Sequence, residues 1–196
     1  MFTLLLDTSN TYLSIGLAKD HQVIDSISYE AWQKQSEFLI QELDAILNRN
    51  NIGRKDIEMV ISAKGPGSYT GVRIALTVAK VIAFALNVPL YLVSSLEVLK
   101  DREAPSICLM NARSKRSYFG VYDREKILVE DKIVDNKEAL DYISEHPNYK
   151  VCGDAAYIGF EATELKNLEN LALSDIERNL CKDPVAAKPV YLKDLY

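Results

Sequence analysis

Apolar residues recur along this chain with two different periods. Phe2 to Leu6 is an apolar run that stops at Asp7, and Asn10 marks a turn. From Tyr12 to Ala18 the pattern alternates, with Leu13, Ile15 and Leu17 on one face, and it alternates again from Val23 to Tyr29. A period of two is the signature of a strand with one buried face, so this stretch predicts three consecutive strands in an antiparallel meander. The period then lengthens. Over Ser36 to Asn48 the residues Leu39, Leu43, Ile46 and Leu47 share one face of a helix, which Asn50, Asn51 and Gly53 end. A short strand, Met59 to Ser62, leads into the turn Gly65-Pro66-Gly67-Ser68-Tyr69-Thr70-Gly71. A long helix from about Val72 to Leu86 follows, stopped by Asn87 and Pro89, and Leu90 to Val93 is another strand. Ser94-Ser95-Leu96-Glu97 has the spacing of a capping box and predicts a short helix.

The charged, proline-bearing stretch Asp101 to Pro105 suits a boundary. After it the opening order returns. Ile107 to Met110, Tyr118 to Tyr122 and Ile127 to Val134 predict three strands, and Asn136 is expected to cap a helix through Ile143. The repeat is one of topology, not of residues. Tyr149 to Cys152 is expected as a strand, Ala155 to Leu171 as mostly helical, Ser174 to Glu177 as a second capping box, and Val190 to Leu192 as a strand-like patch.

Length and composition narrow the class. The 196 residues fit one ordinary domain or two small ones. An apolar share of 48% with 26% charged residues excludes a disordered or collagen-like chain. The longest unbroken apolar run is Val81 to Leu86, so no membrane-spanning helix is expected. Met1 to Leu6 lacks basic residues, so no signal peptide is expected either. Cys108, Cys152 and Cys181 lie far apart without a Cys-x-x-Cys spacing, and His21 and His146 are isolated. Neither a disulfide framework nor a metal site is expected, and the chain reads as cytoplasmic. A net charge of −5 argues against nucleic-acid binding by bulk charge.

Four features carry candidate chemistry. The glycine-rich turn precedes a helix, where backbone N–H groups and the helix dipole favour an anion, with Ser68 and Thr70 able to cap the terminus. A tight turn accounts for the same glycines, and the residues alone weigh toward it, since neither a P-loop nor a Gly-x-Gly-x-x-Gly fingerprint is complete. Asp7-Thr8-Ser9 could face a magnesium-bound phosphate, but the loop to Tyr12 has no glycine to admit one, and a turn needs the same residue types. The helix Val72 to Leu86 is apolar except for Arg73, Thr77 and Lys80, which form one narrow stripe. Such a helix must be covered on nearly every side, either within this chain or by another one, and the latter is favoured. Arg113, Lys115 and Arg116 form a basic cluster in an expected hairpin, where a solvated turn competes with RNA phosphate contact. Trp32, the one tryptophan, is expected to pack on the first helix. No hydrolase triad motif is present.

Taken together, these segments closely resemble the TsaB (YeaZ) family of the bacterial threonylcarbamoyladenosine pathway. The resemblance rests on Asp7-Thr8-Ser9, on the run from Gly65 through Ile74, on Val93 to Glu97, on Asn111-Ala112-Arg113, on Gly153-Asp154 and on Pro189 to Lys193. It implies an α/β fold of two ribonuclease-H-like lobes, as in the actin-like and Hsp70-like ATPases (the ASKHA superfamily), with the second lobe reduced. The expected lobes are residues 1–100 and 101–196. The resemblance also implies a non-catalytic subunit that pairs with the transferase TsaD, joined by the ATPase TsaE, and meets tRNA through that complex. It implies no cofactor of its own, with ATP or ADP expected at most at the complex interface. Family members meet TsaD through their first two helices. Here that implies an interface of Leu39, Leu43, Ile46, Val72, Leu76, Ala79, Ile82 and Ala83, which without the partner would pair with a second copy. A charge at Leu76 or Ala79 is expected to block association and spare the fold.

The chain departs from the family at Gln35-Ser36, where many members have His-Ser, and at Asn111, where many have an acidic residue. The alternative from another class is an active ATPase or small-molecule kinase of the same fold, which needs a phosphate loop bearing glycine.

Overall fold

The computed structural model describes residues 1–161, 163 and 168–192. Two sheets organise it. The first has the order β3-β2-β1-β4-β5, from β1 (Phe2–Asp7), β2 (Tyr12–Lys19), β3 (Gln22–Glu30), β4 (Ile57–Ala63) and β5 (Leu90–Val93). β1 pairs antiparallel with β2 and parallel with β4. The second has the order β8-β7-β6-β9, from β6 (Ser106–Asn111), β7 (Arg116–Asp123), β8 (Lys126–Asp135) and β9 (Lys150–Gly153). Again the first strand runs antiparallel to its hairpin partner and parallel to the strand that returns after a helix. The repeat read from hydrophobic period is therefore real: three antiparallel strands, a helix and a parallel strand occur twice. This is the ribonuclease-H-like lobe, duplicated.

Helices α1 (Gln35–Arg49) and α2 (Tyr69–Leu86) cover one face of the first sheet. The α1 stripe Leu39, Leu43, Ile46 and Leu47 is buried against Leu13, Ile15 and Leu17 of β2. Burial of each such side chain stabilises by about 2 kcal/mol. α2 lies over β4 and β1. Its start is capped by Ser68, whose hydroxyl accepts from the Gly71 N–H at 3.2 Å, and its end by Asn87 in the left-handed conformation (φ 54°). α2 is long and apolar enough, by length and composition, to cross a bilayer. Arg73, Thr77 and Lys80 interrupt its apolar run, so no unbroken stretch longer than Val81 to Leu86 occurs. In the fold its inner face is a core face of the first lobe.

The opposite face of the first sheet is covered by α4 (Leu168–Ala172), whose Leu168, Leu171 and Ala172 pack on Leu5, Met59, Ile61 and Val93. α5 (Ile176–Asn179) follows, and the chain then runs back along the first lobe. The Cys181 N–H donates to Leu90 O (2.8 Å) and the Val190 N–H to Lys64 O (2.8 Å). The expected division at 101–196 thus fails at its far end. The second lobe proper is β6 to β9 with α3 (Asn136–Glu145), and the segment from Leu168 onward belongs to the first.

Local expectations shift in five places. The Ser94 hydroxyl accepts from Leu96 and Glu97 N–H, but the element is a single 3-10 turn, Glu97–Leu99, whose N-cap position is Leu96 rather than Ser94. The Glu97 carboxylate pairs with Lys100 and Arg178 rather than folding back on the cap. Asn136 is the first helical residue of α3, not its cap, and its side-chain oxygen accepts from Ser117 Oγ (3.0 Å). The second capping box does not form; Asp175, one residue on from Ser174, caps α5 alone by accepting from the Arg178 N–H (3.0 Å). Between Ala155 and Leu171 there is one 3-10 turn (Ala156–Ile158), ended by left-handed Gly159, before α4; residues 162 and 164–167 of that expectation lie outside the described residues. Val190 to Leu192 form no strand.

Candidate functional site: an interlobe cleft and an apolar helix crest

The loops of both repeats meet between the lobes. The β1–β2 loop, the start of α1, the glycine-rich turn and the β6–β7 hairpin line a cleft of about 610 Å³. Its floor is tightly internal. Asp7 is buried and accepts from the Ser9 N–H (2.7 Å), and burial pushes its carboxyl upward from the ordinary carboxylate range. Thr8 is fully buried: its hydroxyl donates to Gly71 O (2.6 Å) and accepts from the Ala75 N–H (3.1 Å), stitching β1 to α2. The Ser68 N–H donates to Ser9 O (2.7 Å). A Cβ on Gly67 would overlap Ser9 O, and one on Gly71 would overlap Thr8 O. The two motifs read separately as phosphate contacts are therefore packed on each other. The tight-turn reading accounts for these two glycines, because neighbouring backbone carbonyls occupy the space a side chain would need.

The rest of the lining is amide, hydroxyl and aromatic, with one carboxyl, Asp154, and one guanidinium, Arg113. Gln35 is buried, with its amide donating to Asn10 O (3.2 Å). Ser68, Thr70 and Asn111 face the cleft, and burial raises the Asp154 carboxyl beside them. Tyr69 stacks on Tyr191 (4.8 Å between centroids), and the Arg73 guanidinium sits 4.0 Å from the Tyr69 ring centre. Trp32 does not pack away on α1 as expected; it is 45% exposed at the cleft. On the other rim Arg113, Ser114 and Lys115 form an exposed turn, while Arg116 begins β7 and is half-buried.

The eight residues expected to meet a partner are placed differently by the structure. Leu39, Leu43, Ile46, Leu76, Ala79 and Ala83 all lie in the first lobe's own core, Ile82 is half-buried against it, and Val72 is buried as well. Hydrophobicity alone selected the inward stripe of each helix. The polar stripe of α2 also has an unexpected role. Lys80 donates to the carbonyls of Val185 (2.8 Å) and Ala187 (2.9 Å), and Arg73 donates to Tyr191 Oη (2.6 Å), so it clamps the C-terminal segment. With that flank occupied, the outward crest of α2 is apolar. Val81 is 61% and Phe84 73% exposed, and Ile74, Val78 and Ile82 are half-buried; Ile40 of α1 is exposed as well. A helical wheel centred on Val72, Leu76 and Ala79 would have marked Val81 and Phe84 as outward. The clamp that occupies the other flank spans more than a hundred residues and has no local signature.

Cys108 and Cys152, distant in sequence, are register partners on β6 and β9. The neighbouring Cys108 thiol is the main cause bringing Cys152 down to about 7, while burial drives Cys108 well up.

Comparison with known proteins places this arrangement in a family. The family described as TsaD: tRNA N6-adenosine threonylcarbamoyltransferase matches residues 28–187. The Bacillus subtilis tRNA threonylcarbamoyladenosine biosynthesis protein TsaB is 34% identical over 144 residues, covering 71% of this chain and 63% of that protein. A Buchnera aphidicola protein of the same name is matched over 62% of its length, so the chain spans under two thirds of these two relatives. The Haemophilus influenzae TsaB is 24% identical over 97% of this chain and 93% of its own. The solved structure of YeaZ from Pseudomonas aeruginosa shares the fold at a TM-score of 0.79, with 20% identity, over 97% of this chain and 99% of that one. With most of its length under the TsaD family description and several TsaB-named relatives, the chain belongs to the TsaD family, in its TsaB (YeaZ) group.

Proposed function

We propose that this chain is the non-catalytic scaffold subunit of the bacterial threonylcarbamoyl transferase complex, which forms N6-threonylcarbamoyladenosine in ANN-decoding tRNAs. It binds TsaD and holds it in a productive conformation, in the cytoplasm, and TsaE and tRNA meet it through that complex. Nucleotide, where the complex uses it, sits at the shared interface rather than in a phosphate loop of this chain. Without TsaD the same face pairs with a second copy.

The observation that carries this reading is the apolar crest of α2. Val81 and Phe84 are two large apolar side chains exposed one helical turn apart, on a helix whose Ile74, Val78 and Ile82 are also half-buried rather than fully covered. Exposed large apolar side chains grouped on one helix mark an interaction site. The names of the relatives supply the pathway. The alternative, an ATPase or kinase of the same fold, lacks support in the cleft floor, where Gly67 and Gly71 are closed against Ser9 and Thr8. The test is size-exclusion chromatography with light scattering of this chain mixed with the TsaD of the same organism. A 1:1 complex supports the proposal; two separate peaks at micromolar concentration contradict it.

A further inference from the structure

We propose that Cys108 and Cys152 are a thiol pair that a peroxide converts, reversibly, into a disulfide within the second lobe, with Cys152 attacking first and Cys108 resolving. Topology brings the two together. Cys108 lies on β6 and Cys152 on β9, and they are register partners across a parallel strand pair. Neighbouring strands lie about 4.8 Å apart, inside the Cα separation of roughly 4.4–6.8 Å that a disulfide spans. Both side chains pack in one cluster with Leu96, Leu99, Met110 and Tyr122. They therefore leave the sheet on the same face, side by side rather than pointing apart.

The backbone fixes this approach on both sides of Cys152. Gly153, the next residue, has φ 95°, and a Cβ there would overlap Leu109 O. Glycine lets β9 close on β6 at that point. At the start of β9 the Lys150 N–H donates to Pro105 O (2.9 Å), and the Lys150 ammonium donates to the Asp101 carboxylate (2.5 Å). Cys181 packs on the core of the first lobe, away from the pair.

The surroundings assign the roles. Cys108 is fully buried in a central strand, whereas Cys152 keeps 5% exposure on a four-residue strand at the edge of the second sheet. A small oxidant such as hydrogen peroxide meets Cys152 first. The thiolate is the reacting form, and the environment favours it at Cys152. The Cys108 thiol, with the Ser106 hydroxyl, brings Cys152 down to about 7, while burial drives Cys108 well up.

The chemistry balances with peroxide as the oxidant. The Cys152 thiolate attacks one peroxide oxygen, the O–O bond breaks, and the other oxygen leaves as hydroxide, which takes up a proton to become water. Cys152 is then a sulfenic acid. The Cys108 sulfur attacks the Cys152 sulfur, the S–S bond forms as the S–O bond breaks, and the hydroxyl leaves as water with the Cys108 proton. Two thiols and one peroxide thus give one disulfide and two waters, and a dithiol reductant restores the thiols by exchange.

The test is a peptide map of the full wild-type chain. The reduced, folded protein is treated with hydrogen peroxide at neutral pH, free thiols are blocked, and trypsin places the three cysteines on separate peptides for mass spectrometry. The main product should be the peptide pair linked through Cys108 and Cys152. The thiol titre should fall from three to one per chain, dithiothreitol should restore it, and the linked protein should have a Tm at or above that of the reduced one. In Cys108→Ala, Cys152 should stop at the sulfenic acid and be trapped by dimedone; in Cys152→Ala, Cys108 should keep its thiol. Three free thiols after treatment of the folded chain would overturn the proposal. So would a link that forms only in urea or lowers the Tm, or dimedone on Cys108 in Cys152→Ala.

Discussion

Replacing Phe84 by Asp separates association from folding. Phe84 is 73% exposed on the crest of α2. An aromatic side chain of this size buries some 150–250 Å² when covered, so about 100–180 Å² of Phe84 is open. At ~25 cal/mol per Å², covering it in a complex contributes about 3 kcal/mol, a factor of more than about 100 in affinity. Asp would also bring a carboxylate into an apolar contact, which adds to the loss. The fold should hardly respond, since exposed substitutions outside special features stay within about 0.5 kcal/mol. The measurement is the Kd for TsaD by calorimetry, together with the Tm of the variant alone. An affinity within about threefold of wild type would refute the assignment of this face. Leu76→Glu cannot serve instead. Leu76 is only 3% exposed, and losing its packing costs about 2–5 kcal/mol before any charge is buried. Set against a total stability of about 5–15 kcal/mol, that variant would lose binding by unfolding. The expectation that a charge there spares the fold is therefore withdrawn.

Three further outcomes follow from the floor and the clamp. Gly71→Ala should destabilise by about 1–3 kcal/mol, because its Cβ would overlap Thr8 O; urea denaturation giving an unchanged midpoint would contradict the packed-turn account. Burial raises the Asp7 carboxyl, so the folded state holds that proton more tightly than the unfolded chain does, and ionisation at neutral pH opposes folding. Asp7→Asn should raise the Tm at pH 7, by roughly 2–4 °C for each kcal/mol regained. The gain should shrink as pH falls through the raised folded value and vanish below about 3.9, the unfolded value; a gain independent of pH would show a different cause. Lys80→Met removes two bonds to Val185 and Ala187 carbonyls and should speed hydrogen exchange and proteolysis across residues 183–192 while leaving β1 to β5 protected. Equal protection of the segment in both proteins would show that the clamp holds nothing.

The pattern of periods was enough to read the duplicated lobe, because each strand and helix is set by residues within a few positions of one another. Leu13, Ile15 and Leu17 alternate, and they are the buried face of β2. Leu39, Leu43 and Ile46 recur at helical spacing, and they are the buried face of α1. The most regular apolar stripes of α1 and α2 are buried in the first lobe itself, because a regular stripe is what a protein's own core selects. The outward residues Val81 and Phe84 become significant only once Arg73 and Lys80 are known to grip the C-terminal segment. The return of that segment to the first lobe was equally hidden, since α4 reaches Leu5 and Met59 across more than a hundred residues. In the cleft, the packing of Gly67 and Gly71 against Ser9 and Thr8 joins two motifs that the sequence presents sixty residues apart.

The central claim is that this chain supports the modification of tRNA without performing it. The most direct measurement is a reconstituted reaction with TsaD, TsaE, the threonylcarbamoyl donor, ATP and an ANN-decoding tRNA, scored for N6-threonylcarbamoyladenosine by mass spectrometry. The account predicts product with the wild-type chain, little without it, and little with Phe84→Asp until that variant is supplied in about 100-fold excess. Full modification in its absence, or full activity of Phe84→Asp at stoichiometric concentration, would contradict it.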